Sequence, residues 1–170
     1  MNYEKDISLH TSSKKLSDRY VNIFDKIGLL LPGYSGYAER NNRRQNDKLL
    51  REKIVTTLNS CEKLMSKRIL ASIQANENIQ INKNEECRKK LNTISAQVKY
   101  APYGESAFFS SNQLKEDELL IIYQKDLALL DRVTEINRYI PELDVESILK
   151  KIDGIEAIVN ERNEYIKEFK

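Results

Sequence analysis

Tryptophan is absent from this 170-residue chain, and histidine occurs once, at His10. That scarcity leaves a His-based triad, a histidine-ligated zinc site and the Glu-x-x-His pattern of di-iron bundles without their residues. Cysteine is limited to Cys61 and Cys87, with no CxxC spacing. Each falls at an apolar position of a helical repeat, so both read as small core residues of a reduced protein rather than as a disulfide or a metal pair. Five glycines and three prolines are too few turn-formers for a β-sandwich of this length. No Walker loop and no GxGxxG occurs, which removes the familiar phosphate-cradling loops. The longest apolar run, IGLLLP, is far too short to cross a bilayer, and MNYEKDISLHTSSKK lacks the apolar stretch of a leader. The expectation is a cytoplasmic protein.

What is present favours helices. Leu, Ile, Lys, Glu, Asn and Arg dominate, and apolar residues recur at steps of three and four rather than two. The spacing predicts a flexible tail over 1–13 and a single domain over 14–170, with Thr11, Ser12 or Ser13 capping the first helix. That helix carries Leu16, Tyr20, Ile23, Ile27 and Leu30 and ends at Pro32-Gly33. A long second helix starts near Ala38, with Leu50, Ile54, Leu58, Cys61, Met65, Ile69 and Ile73 on one stripe. At about 55 Å it exceeds a compact domain of this size, so it either projects or is broken. A turn at Asn76-Glu77-Asn78 leads to a third helix bearing Cys87, Leu91, Ile94, Val98 and Ala101.

SAFFSSNQLKEDELL reads as a loop with its phenylalanines tucked under the bundle, entering a fourth helix whose first turn is acidic. The fourth stripe, Leu119, Ile122, Asp126, Leu129, Val133, Ile136 and Ile140, stops at Pro141. Asp144 caps a fifth, which runs through Val145, Ile148, Ile152, Ile155, Val159, Arg162, Ile166 and Phe169. The prediction is an all-α antiparallel bundle of four to five helices with coiled-coil-like packing and a C-terminal helical hairpin.

Charge is uneven. Residues 1–104 hold 19 Lys and Arg against 11 Asp and Glu, and residues 105–170 hold 9 against 15. A basic half suggests nucleic acid, but an acidic half in the same chain can fold against it.

Three groups invite a functional reading. Adjacent carboxylates (Glu85-Glu86 and Glu116-Asp117-Glu118) point in different directions around a helix, which suits solvated faces better than acid–base pairs. Asp126 and Arg162 interrupt apolar stripes and lie about 17 residues before and 19 after the midpoint of the hairpin loop. They are expected to form a partly buried ion pair that sets the register of the hairpin, with Arg44 or Arg51 as other candidates for Asp126.

The third group is the corner GYSGYAERNNRR. Arg40, Arg43, Arg44, Lys48 and Arg51 follow three-four steps around one broad face, opposed by Glu39, Asp47 and Glu52, beside Tyr34 and Tyr37. Basic side chains with nearby rings can bind phosphates or a protein partner. The same residues also suit a structural corner, in which Gly33 and Gly36 supply positive φ and the tyrosines plug the end of the bundle. A second Tyr-Gly corner, Tyr100 to Gly104, fits that view.

The reading is a non-enzymatic interaction or scaffold module without metal or cofactor, with a protein partner or self-association into an oligomer. The alternative is a small nucleic-acid-binding accessory protein using the Arg40–Arg51 face. A third option is peripheral membrane association through the Leu29–Leu31 corner and the basic face.

Overall fold

The computed structural model describes residues 22–101 and 106–169. The expected N-terminal tail, Leu16, Tyr20 and the Pro102–Gly104 part of the second corner lie outside them. The described residues form an all-α bundle of six helices: α1 over 22–30, α2 Arg40–Gln74, α3 Asn78–Tyr100, α4 Ala107–Ser110, α5 Glu116–Tyr139 and α6 Val145–Glu168. α2 is unbroken over 35 residues, about 52 Å. The expected loop before α5 contains one extra helical turn, α4, whose start is capped by the Ser106 side chain; its Phe108 and Phe109 are buried. Acidic residues fill the first turn of α5, and Glu118 reaches back to the Lys115 amide at 2.7 Å. Asp144 caps α6 by accepting from the Ser147 amide at 2.8 Å.

Two antiparallel hairpins, α2–α3 and α5–α6, lie side by side and point the same way. Paired residues fix this direction. Lys83 meets Glu146 and Lys90 meets Asp153, so α3 and α6 run parallel. Cys61 faces Asn137 and Arg68 reaches the Ile140 carbonyl, so α2 and α5 do too. The α3–α6 pairs join the basic half of the chain to the acidic half, though exposed pairs of this kind contribute only ~0–1 kcal/mol each. Most of the stability comes from the apolar seam, in which Leu50, Ile54, Leu58, Leu91, Ile122, Ile136, Ile148 and Ile155 are buried. Cys61 and Cys87 are buried free thiols in that seam.

The stripe of α2 outlasts its cover. Arg68 donates to the carbonyls of Ile140 and Leu143 at 2.8 and 2.9 Å, which places the end of α5 at its level. Six further residues of α2 therefore extend about 9 Å beyond the neighbouring hairpin. Ile69 is only half-buried and Ile73 is exposed, against the expectation that both join the core, because among the described residues neither α5 nor α6 reaches that height. Asn76, at φ 59°, turns the chain into α3.

Candidate functional site

The corner that follows α1 is built around two glycines. Gly33 and Gly36 take φ of +86° and +80°, in the left-handed region that favours glycine. Gly36 also meets a steric limit: a β-carbon there would lie 2.4 Å from the Tyr123 hydroxyl and 2.6 Å from Phe24 Cε2. The turn folds Tyr34 and Tyr37 into the end of the bundle. Tyr37 stacks on Tyr123 with centroids 5.5 Å apart and meets Phe108 edge-on at 5.3 Å. Phe24 and Tyr34 close the cluster against Tyr123.

The five basic residues do not share one surface, which corrects the single broad face read from their spacing. Continuing the core stripe of α2 backwards from Leu58 through Ile54 and Leu50 leads, at the same three-four steps, to Asp47 and Arg43. Both are buried, and Arg51 is buried beside them. Arg43 donates to the backbone carbonyls of Tyr37 (2.7 Å), Phe108 (2.9 Å) and Ser111 (2.9 Å), which ties α2 to the corner and to α4. Asn46, also buried, accepts from the Ser35 amide at 2.9 Å and donates to the Gly36 carbonyl. Arg40, Arg44 and Lys48 remain outside: Arg40 donates to Asn112, Arg44 lies over the Phe109 ring at 5.1 Å, and Lys48 stands 3.8 Å from Glu52. Of Leu29–Leu31, Leu31 is buried and Leu30 half-buried, leaving Leu29 exposed.

Below the corner, charges form a closed chain. Arg162 Nε donates to Asp126 Oδ1 at 2.6 Å and Arg162 Nη2 to Asp47 Oδ1 at 2.6 Å. Asp47 Oδ2 lies 2.7 Å from Arg51 Nε, and Arg51 Nη1 donates to the Ala101 carbonyl. Tyr37 completes the set: its hydroxyl donates to Asp126 Oδ2 at 2.8 Å, and its amide donates to the Tyr123 hydroxyl at 2.6 Å. Two aspartates and two arginines, all buried, balance to zero charge. Arg51 pairs with Asp47 and Arg44 with a ring, so Arg162 is the partner that Asp126 takes.

Burial pushes the Tyr37 hydroxyl far above its ordinary range, with the Asp126 carboxylate adding to the shift, so it stays protonated as a donor. Burial by itself would lower Arg162, but the Asp126 and Asp47 carboxylates outweigh it and hold the guanidinium charged. A void of about 10 Å³ between Arg51 and Arg162 has room for one water at most. Chemically this is a latch. It joins α2, α5, α6 and the corner, and its polar atoms are committed to one another rather than turned towards a substrate.

The positive φ of Gly33 and Gly36 follows from the sequence, but Tyr123, Asn46, the burial of Asp47 and the close approach of side chains to Gly36 escape a reading based on residue type alone. The signal for Asp47 is its place on the stripe of α2. For Tyr123 it is the position one turn before Asp126 on α5. Among the described residues no group of three His, Cys, Asp or Glu side chains is arranged to hold a metal ion, and no helix is long and apolar enough to cross a membrane.

The other unusual surface lies at the far end of the bundle. Residues 69–82 contain one charge, Glu77. Within them Leu70, Ile73 and Ile79 are 60%, 50% and 71% exposed. Beneath them Arg68 Nε donates to the Asn84 side-chain carbonyl at 3.3 Å, and Asn84 donates to Ser72 Oγ, which stiffens the base of the projecting hairpin. No family model matches this chain, and neither the curated proteins nor the solved structures contain a match to it.

Proposed function

We propose that this chain is a non-enzymatic, cytoplasmic interaction module. In this reading the bundle is a rigid support, the polar latch fixes one end, and the tip of the α2–α3 hairpin is the interaction surface. One observation carries it: three large apolar side chains stand exposed on a helical hairpin that outruns its neighbours, in a stretch with a single charge. Exposed apolar groups clustered in this way are costly in water and mark contact surfaces. The commitment of Arg43 and Arg51 to backbone and carboxylate partners removes them from any phosphate-binding role.

A photo-crosslinking residue at Ile73 tests the reading in cells that express the protein. A discrete protein adduct at position 73, with none at Leu29, is expected. Absence of an adduct at 73 refutes the assignment.

A nucleic-acid reading keeps one supporting observation. Lys53, Lys63, Lys67 and Lys89 are exposed on the outer side of the α2–α3 hairpin, with no acid within 4 Å among the described residues. Because Arg43 is structural, the useful variant is Lys53→Glu with Lys63→Glu and Lys89→Glu. Salt-sensitive binding to mixed single- and double-stranded nucleic acid that disappears in this variant would favour that reading.

A further inference from the structure

We propose that the α2–α3 tip binds the tip of a second copy of this chain, the two hairpins overlapping side by side and antiparallel about a two-fold axis. The proposal rests on the reading of the tip as the interaction surface and names its partner. Three features lead to it. First, Ile69 and Ile73 continue the core stripe of α2, with Leu70 next to it, and lower down among the described residues that stripe is covered by a helical hairpin. The cover it lacks is therefore another helical surface of the same kind.

Second, the tip is almost free of charge, so its complement is neutral and apolar. The described residues expose seven large hydrophobics; three of them, Leu70, Ile73 and Ile79, are gathered at the tip, Tyr100 lies at the opposite end of α3, and Leu29, Ile121 and Tyr139 lie on other elements. Among the described residues the tip itself is the one place where such apolar groups are gathered.

Third, the charges that border the apolar group are complementary to themselves. Lys67 stands one turn before Leu70 and Glu77 sits in the turn, both exposed and neither with an ionic partner among the described residues. Along α2 the distance from Lys67 to the turn is about 10 Å, close to the length by which the hairpin projects. An antiparallel overlap of that length sets Lys67 of each copy level with Glu77 of the other and brings Leu70 and Ile73 of the two copies together. A two-fold contact makes both ion pairs at once. A contact confined to the tip is small, so association is reversible and depends on concentration.

Sedimentation equilibrium of the full chain from about 10 µM to about 1 mM tests this. The expected mass rises from 19.8 kDa towards twice that value. Leu70→Lys with Ile73→Lys should remain monomeric at all concentrations while keeping the wild-type circular dichroism spectrum and melting profile. Lys67→Glu alone and Glu77→Lys alone should each weaken association about 5-fold or more, and the two together should restore it to within about 2-fold. A dimer untouched by the Leu70/Ile73 variant, or a charge reversal without rescue, overturns the proposal. A wild-type chain that stays monomeric while position 73 crosslinks to a different protein overturns the self-partner and leaves the interaction reading standing. A monomer with no adduct overturns both.

Discussion

Replacing Arg162 by Met tests the latch most severely. The guanidinium is the one cation hydrogen-bonded to Asp126 among the described residues, at 2.6 Å, and it also holds Asp47 at 2.6 Å. After the substitution Asp47 keeps Arg51, but Asp126 is left with the Tyr37 hydroxyl as its partner. Removing one member of a buried pair in this way costs about 3–5 kcal/mol. For a domain of this size that corresponds to a fall of roughly 6–20 °C in the melting temperature. Adding Asp126→Leu removes the stranded charge. The double variant should therefore recover about half of the loss, keeping a deficit of about 1–3 kcal/mol from the Tyr37 hydroxyl, which loses its acceptor. Urea unfolding followed by circular dichroism, with the slope constant across the set, measures each step. A loss below about 1 kcal/mol for Arg162→Met, or a double variant equal to the sum of the singles, refutes the latch.

Three further outcomes follow from the geometry. Gly36→Ala should destabilise the fold by more than the ~1–2 kcal/mol of a left-handed alanine, because its β-carbon collides with Tyr123 and Phe24; Gly33→Ala, with nothing within 4 Å, should cost only the backbone part. Equal melting temperatures for the two variants would contradict the packing of the corner. Burial pushes Cys61 to about 12 and Cys87 to about 11, so neither thiol should react with a disulfide reagent at pH 8 until the protein unfolds; rapid labelling of the native protein would place them elsewhere. Hydrogen bonds from Lys151, Lys83 and Ser147 hold the carboxyls of Glu135, Glu146 and Asp144 below their ordinary range. Their contribution is present above the unfolded values and is lost as pH falls through the folded ones, so the melting temperature should drop between about pH 5 and pH 3. A flat profile there would show that these contacts do not persist in solution.

Much of the fold was legible in the apolar stripes. The three-four spacing from Leu119 to Ile140 and from Val145 to Phe169 sets the C-terminal hairpin, with Pro141 and Asp144 at its bend. Counting from that bend brings Asp126 and Arg162 to one level, and the structure has them hydrogen-bonded. Grouping the basic residues of α2 by their own three-four steps set Asp47 on an opposed, outer side, whereas continuing the Leu58–Leu50 stripe backwards puts it in the core, because a stripe decides which way a residue faces whatever its chemistry. Arg43 and Asp47 are buried for the same reason that Leu50 is: they share its side of the helix. Other features are tertiary. The parallel packing of the two hairpins depends on how the segment between α3 and α5 crosses the end of the bundle, which no local pattern encodes. The exposure of Ile73 depends on the height at which α5 stops beside α2, a length set by a different part of the chain. Tyr123 gained its role from the close approach of the Gly36 backbone, and spacing carries no trace of that.

The central claim is that this bundle interacts through the α2–α3 tip while the arginine corner serves the fold. Hydrogen exchange of the full chain, measured at low and high protein concentration, tests both halves at once. The account predicts slower exchange at high concentration across residues 69–82 and unchanged exchange across 34–51. Protection that appears over Tyr34 to Arg51 instead, with the tip unaffected, would contradict it and return the corner to the role of binding site.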